Sequence, residues 1–409
     1  MPNLPPVDPA TLDRRSSRAD DLIQAFLEQM AVSGIAGATA RAVAARAGTS
    51  ASAIHYHFHS LEQLYGVAQQ RAIGETRVWL RERLAEAAAG APWTPAGFPA
   101  FATAVIDDWC GRKRVLAQAE ACDTVALAWW TSGTAAQWMG LWETFWATAL
   151  SRFSLSADLS PVAAAVLQSE RFGHLVRWRT LHDRAGLEEV CTRLTARLSG
   201  DPELLARPAP WRDAAEALSQ RKTVFPPLTG AAARIAGAVV SAVDVAGEGA
   251  LTHRAAALEA GLSLGAVTHH FPTRAALMTA GYASVYEGIL GSAERWGAMT
   301  ARHDDLGRHI LSFLEMGSAA PGVRAFETFF FAATRDPALA DFAARVRYSR
   351  GATTLSYLGP VAPQLTRMDA LLLSHWITGA ARRILADPEG APEVRQAIPT
   401  FAPALFPRA

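Results

Sequence analysis

The alternation of apolar and polar positions near the amino terminus predicts a helix followed by a break. Leu22, Phe26 and Met30 recur with the period of one helical face, so we expect a first helix over about 18–33. Gly34 follows the last of these apolar positions, and glycine readily takes the positive φ that ends a helix. The segment therefore begins with an amphipathic helix whose apolar face needs a partner.

Capping residues after this break predict two short helices and then a long one. We expect Thr39 to cap a second helix at about 40–47 and Ser50 to cap a third at about 51–57, with a tight left-handed turn at Gly48. The run Ser60-Leu61-Glu62-Gln63 has the spacing of a capping box and predicts the start of a long fourth helix. Two short helices joined by a brief turn that contains glycine form a helix-turn-helix, whose second helix enters the major groove of DNA.

The same pattern occurs twice in the chain. When the sequence is shifted by 213 residues, Leu22–Tyr65 falls on Ile235–Met278 without a gap. A second register, shifted by 206 residues, pairs residues further along the two halves. The identical pairs are Gly34/Gly247, Thr39/Thr252, Arg41/Arg254, Gly48/Gly261, Ser50/Ser263, His57/His270 and Phe58/Phe271 in the first register, and Leu167/Leu373, Gly173/Gly379 and Arg177/Arg383 in the second. The sequence therefore predicts two halves of about 200 residues with related folds.

Both copies resemble the DNA-binding signature of the tetracycline-repressor (TetR) family. The first copy, Thr39 to Phe58, reads TARAVAARAGTSASAIHYHF, and the second, Thr252 to Phe271, reads THRAAALEAGLSLGAVTHHF. The resemblance implies an all-α protein in which a three-helix head and a connecting fourth helix precede a helical body. In that family the body binds a ligand and forms a dimer through its last helices.

The predicted organisation is two TetR-like halves arranged as a pseudo-dimer within one chain. A proline-rich segment joins them and contains a short predicted helix, Trp211–Lys222. The predicted units are a disordered leader at 1–15, a first helix-turn-helix domain at 16–65, a first helical ligand-binding body at 66–199, a linker at 200–229, a second helix-turn-helix domain at 230–278 and a second helical body at 279–409.

Candidate DNA-binding residues are those that the two heads would present to a duplex. Polar side chains at the caps and on the third helix of each head can reach phosphates or base edges. For the threonine caps and first-turn arginines, capping alone and a solvated surface position are the open alternatives, whereas the His-Phe pairs are predicted to pack. The candidates are Arg14, Arg15, Arg18, Thr39, Arg41, Ser50, Ser52, His55 and Tyr56 in the first copy and Thr252, Arg254, Ser263, Gly265, Thr268, His269 and Arg274 in the second.

The two copies depart from the family pattern in different ways. The family commonly has a basic residue for a phosphate just after the aromatic motif, where the first copy has Leu61 and the second Arg274. The usual tyrosine of the third helix is His55 in the first copy and Thr268 in the second. The second head also has few basic residues among several acidic ones. Because phosphate contacts supply most non-specific affinity, we expect this head to bind DNA weakly, and loss of its binding is the alternative.

Tryptophan is concentrated in the first body. Trp138, Trp142 and Trp146 form one stripe at helical spacing, which predicts either a core or an aromatic pocket for a flat or apolar effector. Glu170 and His174, four residues apart, predict an ion pair. The candidate effector-binding residues are Glu120, Trp129, Trp130, Trp138, Trp142, Trp146, His174, Arg177 and Trp178.

Composition and motifs limit the remaining functions. At 409 residues the chain is long enough for about two to four domains, and its net charge of +1 means that DNA binding must depend on local basic patches. The sequence contains no apolar run of membrane-spanning length, P-loop, G-x-S-x-G, glycine-rich dinucleotide fingerprint or H-E-x-x-H motif. Its three cysteines lack metal-binding spacing. We therefore predict no catalytic residue, cofactor or metal.

These observations predict a cytoplasmic, non-enzymatic transcription regulator, most simply a ligand-responsive repressor. Its expected partners are double-stranded DNA and a small aromatic or apolar effector, with no membrane. The two halves are expected to pack through helices near 161–198 and 366–386, and their unlike heads predict an asymmetric operator bound by a monomeric pseudo-dimer or a homodimer. The alternative is a ligand- or partner-binding protein with one or both heads degenerate.

Overall fold

The computed structural model describes residues 9–90, 93–124, 133–221, 225–297, 305–319 and 322–407, and the regular structure in these ranges is helical throughout. The helices of the first half are α1 (Pro9–Gly37), α2 (Ala40–Arg46), α3 (Ala51–Phe58), α4 (Leu61–Ala88), α5 (Phe98–Gly111), α6 (Arg114–Thr124), α7 (Ala135–Arg152), α8 (Ser160–His174) and α9 (Thr180–Ser199). The connecting segment contains α10 (Pro202–Leu205) and α11 (Pro210–Gln220).

The second half repeats this order of helices. Its helices are α12 (Gly230–Ala246), α13 (His253–Ala260), α14 (Leu264–His270), α15 (Arg274–Gly297), α16 (Leu306–Ala319), α17 (Val323–Ala333), α18 (Ala340–Ser349), α19 (Ala352–Leu358), α20 (Arg367–Ala386) and α21 (Ala391–Leu405). Helix α1 packs on α6 as α12 packs on α17, and α5 packs on α9 as α16 packs on α21. Where the first half has α7, the second has the two shorter helices α18 and α19.

The predicted helices of the first head are confirmed, with one difference at the start. Helix α1 begins at Pro9 rather than near residue 18, so it occupies part of the segment predicted as a disordered leader. Gly34 breaks this helix with φ 68° and ψ 179°, as its position predicted. Ser60 caps α4 by accepting a hydrogen bond from the Gln63 amide at 3.1 Å. Local sequence signals therefore determine where these helices begin and end.

The first body is built around a cluster of indole rings. Trp109, Trp138, Trp142 and Trp146 are almost completely buried. The ring centroids of Trp109 and Trp142 are 5.3 Å apart, and those of Trp142 and Trp146 are 5.9 Å apart. Such aromatic pairs add to the stabilisation that burial alone provides. The tryptophan stripe of α7 is therefore core.

The two halves are joined chiefly by the packing of α20 on α8. Gly379 lies against the backbone of Ala165, so close that an added Cβ would be 2.7 Å from the Ala165 carbonyl carbon. Four residues earlier on α20, His375 Nδ1 lies 2.9 Å from Ser169 Oγ, four residues later on α8. The two helices therefore cross antiparallel. Glycine permits this close approach, which brings residues of both halves into one continuous apolar core.

This close packing can be tested by adding a single methyl group. We expect Gly379→Ala to lower the free energy of unfolding by roughly 1–3 kcal/mol, because the new Cβ meets backbone that cannot move aside cheaply. Gly140→Ala is the matched control, since an added Cβ there meets no atom within 4 Å and replaces glycine in the helix interior. It should raise stability by about 0.5–1 kcal/mol. Urea unfolding followed by tryptophan fluorescence measures both, and equal stability of Gly379→Ala and the unmodified protein would contradict the packing.

Candidate nucleic-acid interface

The first head holds two short helices at a fixed angle. Thr39 Oγ1 accepts a hydrogen bond from the Ala42 amide at 3.3 Å, which caps α2. Gly48 turns the chain with φ 61°, and the buried side chains of Val43 and Ile54 hold α2 and α3 against the rest of the head. This is the arrangement that presents α3 outward, as a recognition helix must be presented.

Most predicted DNA-binding residues of this head lie on its outer surface. Tyr56 is 58% exposed, and its ring packs edge-on against that of His57 with the centroids 5.0 Å apart. Arg41 has no ionic partner among the described residues, whereas Arg46 is bound to Gln29 and Glu28. Arg14 and Arg15 lie on α1, but their side chains are outside the described part of the structure. The exposed candidates are Arg18, Thr39, Arg41, Ser50, Ser52, His55 and Tyr56.

The second head has the same backbone geometry. Gly247 breaks the chain with φ 70° and ψ 176°, close to the values at Gly34, and Gly261 has φ 61° like Gly48. Thr252 Oγ1 accepts a hydrogen bond from the Ala255 amide at 3.0 Å, and Ser263 Oγ accepts one from the Ala266 amide at 3.1 Å. Helices α13 and α14 thus form a second helix-turn-helix.

The surface of the second head is less suited to DNA. Thr268 donates its hydroxyl to the Leu264 carbonyl oxygen at 2.9 Å. Arg274, the predicted phosphate contact, donates to the Glu248 carbonyl oxygen at 2.8 Å and lies 3.6 Å from the Glu248 carboxylate. Leu258 is 84% exposed, and Leu264 is also exposed. The remaining candidates, Thr252, Arg254, Ser263, Gly265 and His269, are exposed to solvent.

The two heads touch each other, a contact that the sequence did not predict. A Cβ added at Gly249 would lie 3.8 Å from the Cβ of Ala36. The side chain of Arg335, from the end of α17, lies against Gly34 on one side and 3.7 Å from the Glu248 carboxylate on the other. Ala36 and Gly249 occupy the same position in the two copies, so the repeat pairs the two residues that meet here, although it does not by itself indicate a contact.

Comparison with known proteins agrees with the geometry of the first head. Such an exposed helix after a tight turn defines a helix-turn-helix DNA-binding protein. Residues 22–67 match the family described as bacterial regulatory proteins, tetR family. The match supports a TetR-type DNA-binding transcription regulator. No curated protein matches the chain. No helix in the described ranges is long and apolar enough to span a membrane.

Several predicted effector-binding residues form part of the buried core of the first body. The Glu120 carboxylate pairs with Arg171 and accepts a hydrogen bond from the Trp109 indole at 3.1 Å. Burial raises the pKa of Glu120 despite this pairing. The Arg171 guanidinium in turn lies 3.8 Å from the ring centroid of Trp142. Trp138 and Trp146 pack in the same core, and Trp129 and Trp130 are outside the described residues.

Three further candidates lie where the first body meets the second half. His174 Nε2 is 2.9 Å from Asp107, and its Nδ1 is 2.9 Å from Nη2 of Arg347. Arg177 also bonds to Asp107, at 3.3 Å. The Trp178 indole donates to Asp341 across the same junction at 2.9 Å. These side chains hold elements together rather than surround an open space.

A network of buried charges centres on Glu170 and Arg347. Glu170 Oε1 binds Nη2 of Arg347 at 2.8 Å, and its Oε2 lies 2.9 Å from Nε2 of His375. Asp183 lies 3.3 Å from Arg347, and Arg212 lies 3.8 Å from Glu170. Burial alone would raise the pKa of Glu170, but these cations hold it well below its usual range. Glu170 and His174 thus share Arg347 instead of forming the predicted pair, because a stronger cation lies between them.

One open cleft lies beside this network. It has a volume of about 330 Å³ and is formed by α7 and α8 from one half and α20 and α21 from the other. Of the predicted effector-binding residues, Trp142 lines this cleft. The cleft belongs to both halves, so no single stretch of sequence could reveal it.

The buried histidines make the stability of the protein depend on pH. Burial lowers the pKa of His375 to about 4 and also lowers that of His174, and this effect outweighs the opposite influence of Glu170 and Asp107. The folded state therefore resists protonation, so its stability is complete above the unfolded histidine pKa of about 6.5 and decreases as the pH falls. Between pH 7 and pH 5, the contribution of His375 alone should lower the free energy of unfolding by roughly 2 kcal/mol.

Denaturant unfolding at several pH values measures this cost. His375→Gln should flatten the decrease between pH 7 and 5, whereas His55→Gln, on an exposed ring, should leave it unchanged. The low pKa values of Asp107 and Glu170 affect stability only below about pH 4.5. Glu120, whose pKa is raised, contributes equally to both variants, so the comparison between them isolates His375. An unchanged pH profile in His375→Gln would contradict the assignment.

Proposed function

We propose that one chain acts as a ligand-responsive transcription repressor, with its two halves related by a pseudo-two-fold axis. The observation that carries the proposal is that equivalent positions meet each other in two separate places. Ala36 meets Gly249, its equivalent in the first register, and Ser169 meets His375, its equivalent in the second. A residue touches its own equivalent only near a two-fold axis, as in an isologous dimer interface.

The antiparallel crossing of α8 and α20 has the geometry that such an axis requires. Ser169 and His375 lie at the crossing, and Ala165 and Gly379 meet four residues away, where α8 and α20 run in opposite directions. The same axis relates the two heads, which places α3 and α14 as a pair of recognition helices. A single chain thus supplies what two subunits supply in a symmetric regulator.

Because the paired recognition helices differ, the proposed operator is asymmetric. At equivalent positions α3 offers His55 and α14 offers Thr268, whose hydroxyl is occupied by its own backbone. Tyr56 of α3 is matched by His269 of α14. The two half-sites should therefore differ in sequence, and the first head should supply the larger share of the affinity.

Helices α6 and α17 connect the bodies to the heads. Helix α1 packs on α6, and Asp244 of α12 accepts hydrogen bonds from the Gly322 and Ala325 amides at 3.1 and 2.9 Å at the start of α17. Arg114, the first residue of α6, donates to the Thr334 carbonyl oxygen at the end of α17 at 2.6 Å. An effector that favours one arrangement of the bodies would change the spacing of the heads, and so the DNA-competent population.

The first test compares equivalent arginines of the two heads. Arg41→Gln should weaken operator binding about tenfold and reduce the dependence on salt by about one phosphate contact, a slope change near 0.9. Arg254→Gln should have the smaller effect, and Arg77→Gln, exposed on α4, none. Fluorescence anisotropy across salt concentrations measures the slopes, and native mass spectrometry should show one chain per operator. Two chains on a perfect inverted repeat would refute the single-chain mode.

A second test frees the trapped cation of the other head. Glu248→Gln removes the carboxylate beside Arg274 and should strengthen non-specific DNA binding severalfold, with a salt slope steeper by about 0.9 if Arg274 then meets a phosphate. Glu259→Gln is the control, because it removes one negative charge from the same head, where Glu259 bonds to Ser241 instead. Equal effects of both variants would show that general charge is responsible, rather than release of Arg274.

The exposed leucines favour one alternative, a protein in which the second head binds a partner rather than DNA. Leu258 and Leu264 replace Ala45 and Ala51 of the first head on the surface that would face DNA. Under this alternative, substitution of the second head leaves DNA affinity and its salt slope unchanged, while substitution of the first abolishes binding.

A further inference from the structure

The cleft between the halves is lined mainly by apolar residues. Two tryptophans, Trp142 and Trp376, contribute to this lining, one from each half. Small residues line the cleft as well, which leaves room for a ring close to the backbone. They are Ala164, Ala165, Gly379 and Ala380. A volume of about 330 Å³ is within the range of small-ligand sites.

The pseudo-two-fold relation gives this cleft an equivalent on the other side of the axis. Trp376, Gly379 and Arg383 line the cleft, and a shift of 206 residues places them on Glu170, Gly173 and Arg177. That equivalent place is filled by the side chain of Arg347. A Cβ added at Gly173 would lie 3.6–3.8 Å from Cγ, Nε and Cδ of Arg347, whose guanidinium also binds Glu170 and His174. The equivalents of these three residues, Gly379, Trp376 and Ala380, line the open cleft.

The occupant of the filled site is a flat, delocalised cation on an apolar stem. Its guanidinium is held by the Glu170 carboxylate at 2.8 Å, by Asp183 at 3.3 Å and by the neutral nitrogen of His174 at 2.9 Å. The molecule therefore uses acidic groups and a glycine surface to hold a planar cation at one of the two equivalent places.

The open cleft has a matching acidic character. Its charged lining residues are Glu143, Glu393 and Arg383, so the carboxylates outnumber the cations. Arg383 is already engaged with Glu143 at 3.3 Å and with Asp387, just outside the cleft, at 3.4 Å. Glu393 lies at the solvent-exposed rim. A positively charged ligand therefore suits this cleft better than an anion.

We propose that the open cleft is the effector site and that it binds a planar aromatic cation. This deepens the proposed function and rests on its pseudo-two-fold relation between the halves. The apolar lining with its two tryptophans suits a flat ring, and the acidic rim supplies the charge preference. Because the ligand lies between α8 and the helices α20 and α21, its binding changes the packing angle of the two halves.

The experiment uses three probes that differ in charge on one aromatic frame. They are 1-naphthylmethylammonium, neutral 1-naphthylmethanol and anionic 1-naphthylacetate, each titrated into the full chain without DNA by calorimetry and tryptophan fluorescence. The cation should bind about fivefold more tightly than the alcohol, and the anion more weakly than both. Equal affinities, or preference for the anion, would overturn the proposal.

Variants assign the binding to this cleft. Glu143→Gln with Glu393→Gln should remove the preference for the cation and leave the affinity for the alcohol, whereas Glu389→Gln, exposed nearby but outside the cleft, should change neither. Ala397→Trp should abolish binding of all three probes by filling the cleft. Cation preference that survives the double substitution would refute the site.

Measurement without DNA separates this proposal from the proposed function. If the chain binds the cation in the cleft but does not bind an asymmetric operator, the effector site is supported and the repressor function is refuted. If the chain binds the operator but shows no charge preference among the probes, the repressor function is supported and this effector site is refuted.

Discussion

The close approach of α8 and α20 determines most of what this molecule can do. Gly379 allows the two helices to meet at the backbone of Ala165. The last helix of each half packs on one of them, α9 on α8 and α21 on α20. The distance between the two heads depends on this crossing, because α6 and α17 belong to the bodies and contact the first helices of the heads, α1 and α12. A closely packed interface of this kind shifts between discrete arrangements rather than deforming gradually, and the proposed ligand response depends on this property.

The buried charges beside this crossing specify one arrangement of the halves. Separating the two halves would leave Glu170 and Asp183 without Arg347. Each unpaired buried charge would lower the stability by several kcal/mol. Apolar packing alone would tolerate small rotations at the interface, whereas the ion pairs of Arg347 with Glu170 and Asp183 keep their distances in one geometry only. The cost of desolvating these charges is offset by the number of partners that each group has, including the hydroxyl of Tyr348, which donates to Asp183 at 2.6 Å.

Local features of the fold could be predicted from the sequence, whereas long-range features could not. Thr39 and Gly48 act on backbone within three or four residues, so their positions predicted the bounds of α2 and the turn before α3 closely. Ser50 occupies the N-cap position of α3 as predicted, but its hydroxyl pairs with Ser52 and makes no capping hydrogen bond. The tryptophan stripe of α7 predicted a buried face but could not indicate what covers it, since helical spacing carries no information about the neighbouring helix. Arg347 and the cleft were missed because their partners are more than a hundred residues away.

The proposed pseudo-dimer differs from a homodimer in that each half can change separately. In a homodimer every substitution occurs twice, so a side chain that fills one site also fills its symmetric equivalent. Here Arg347 fills one place while the equivalent cleft stays open, and Glu248 engages Arg274 in one head while the other head has Leu61 at that position. The covalent connection also removes the concentration dependence of pairing, so weak DNA binding by one head need not weaken the association of the halves. In the proposed pseudo-dimer, the heads can differ from each other, and the cleft from its filled equivalent, because both halves lie on one polypeptide.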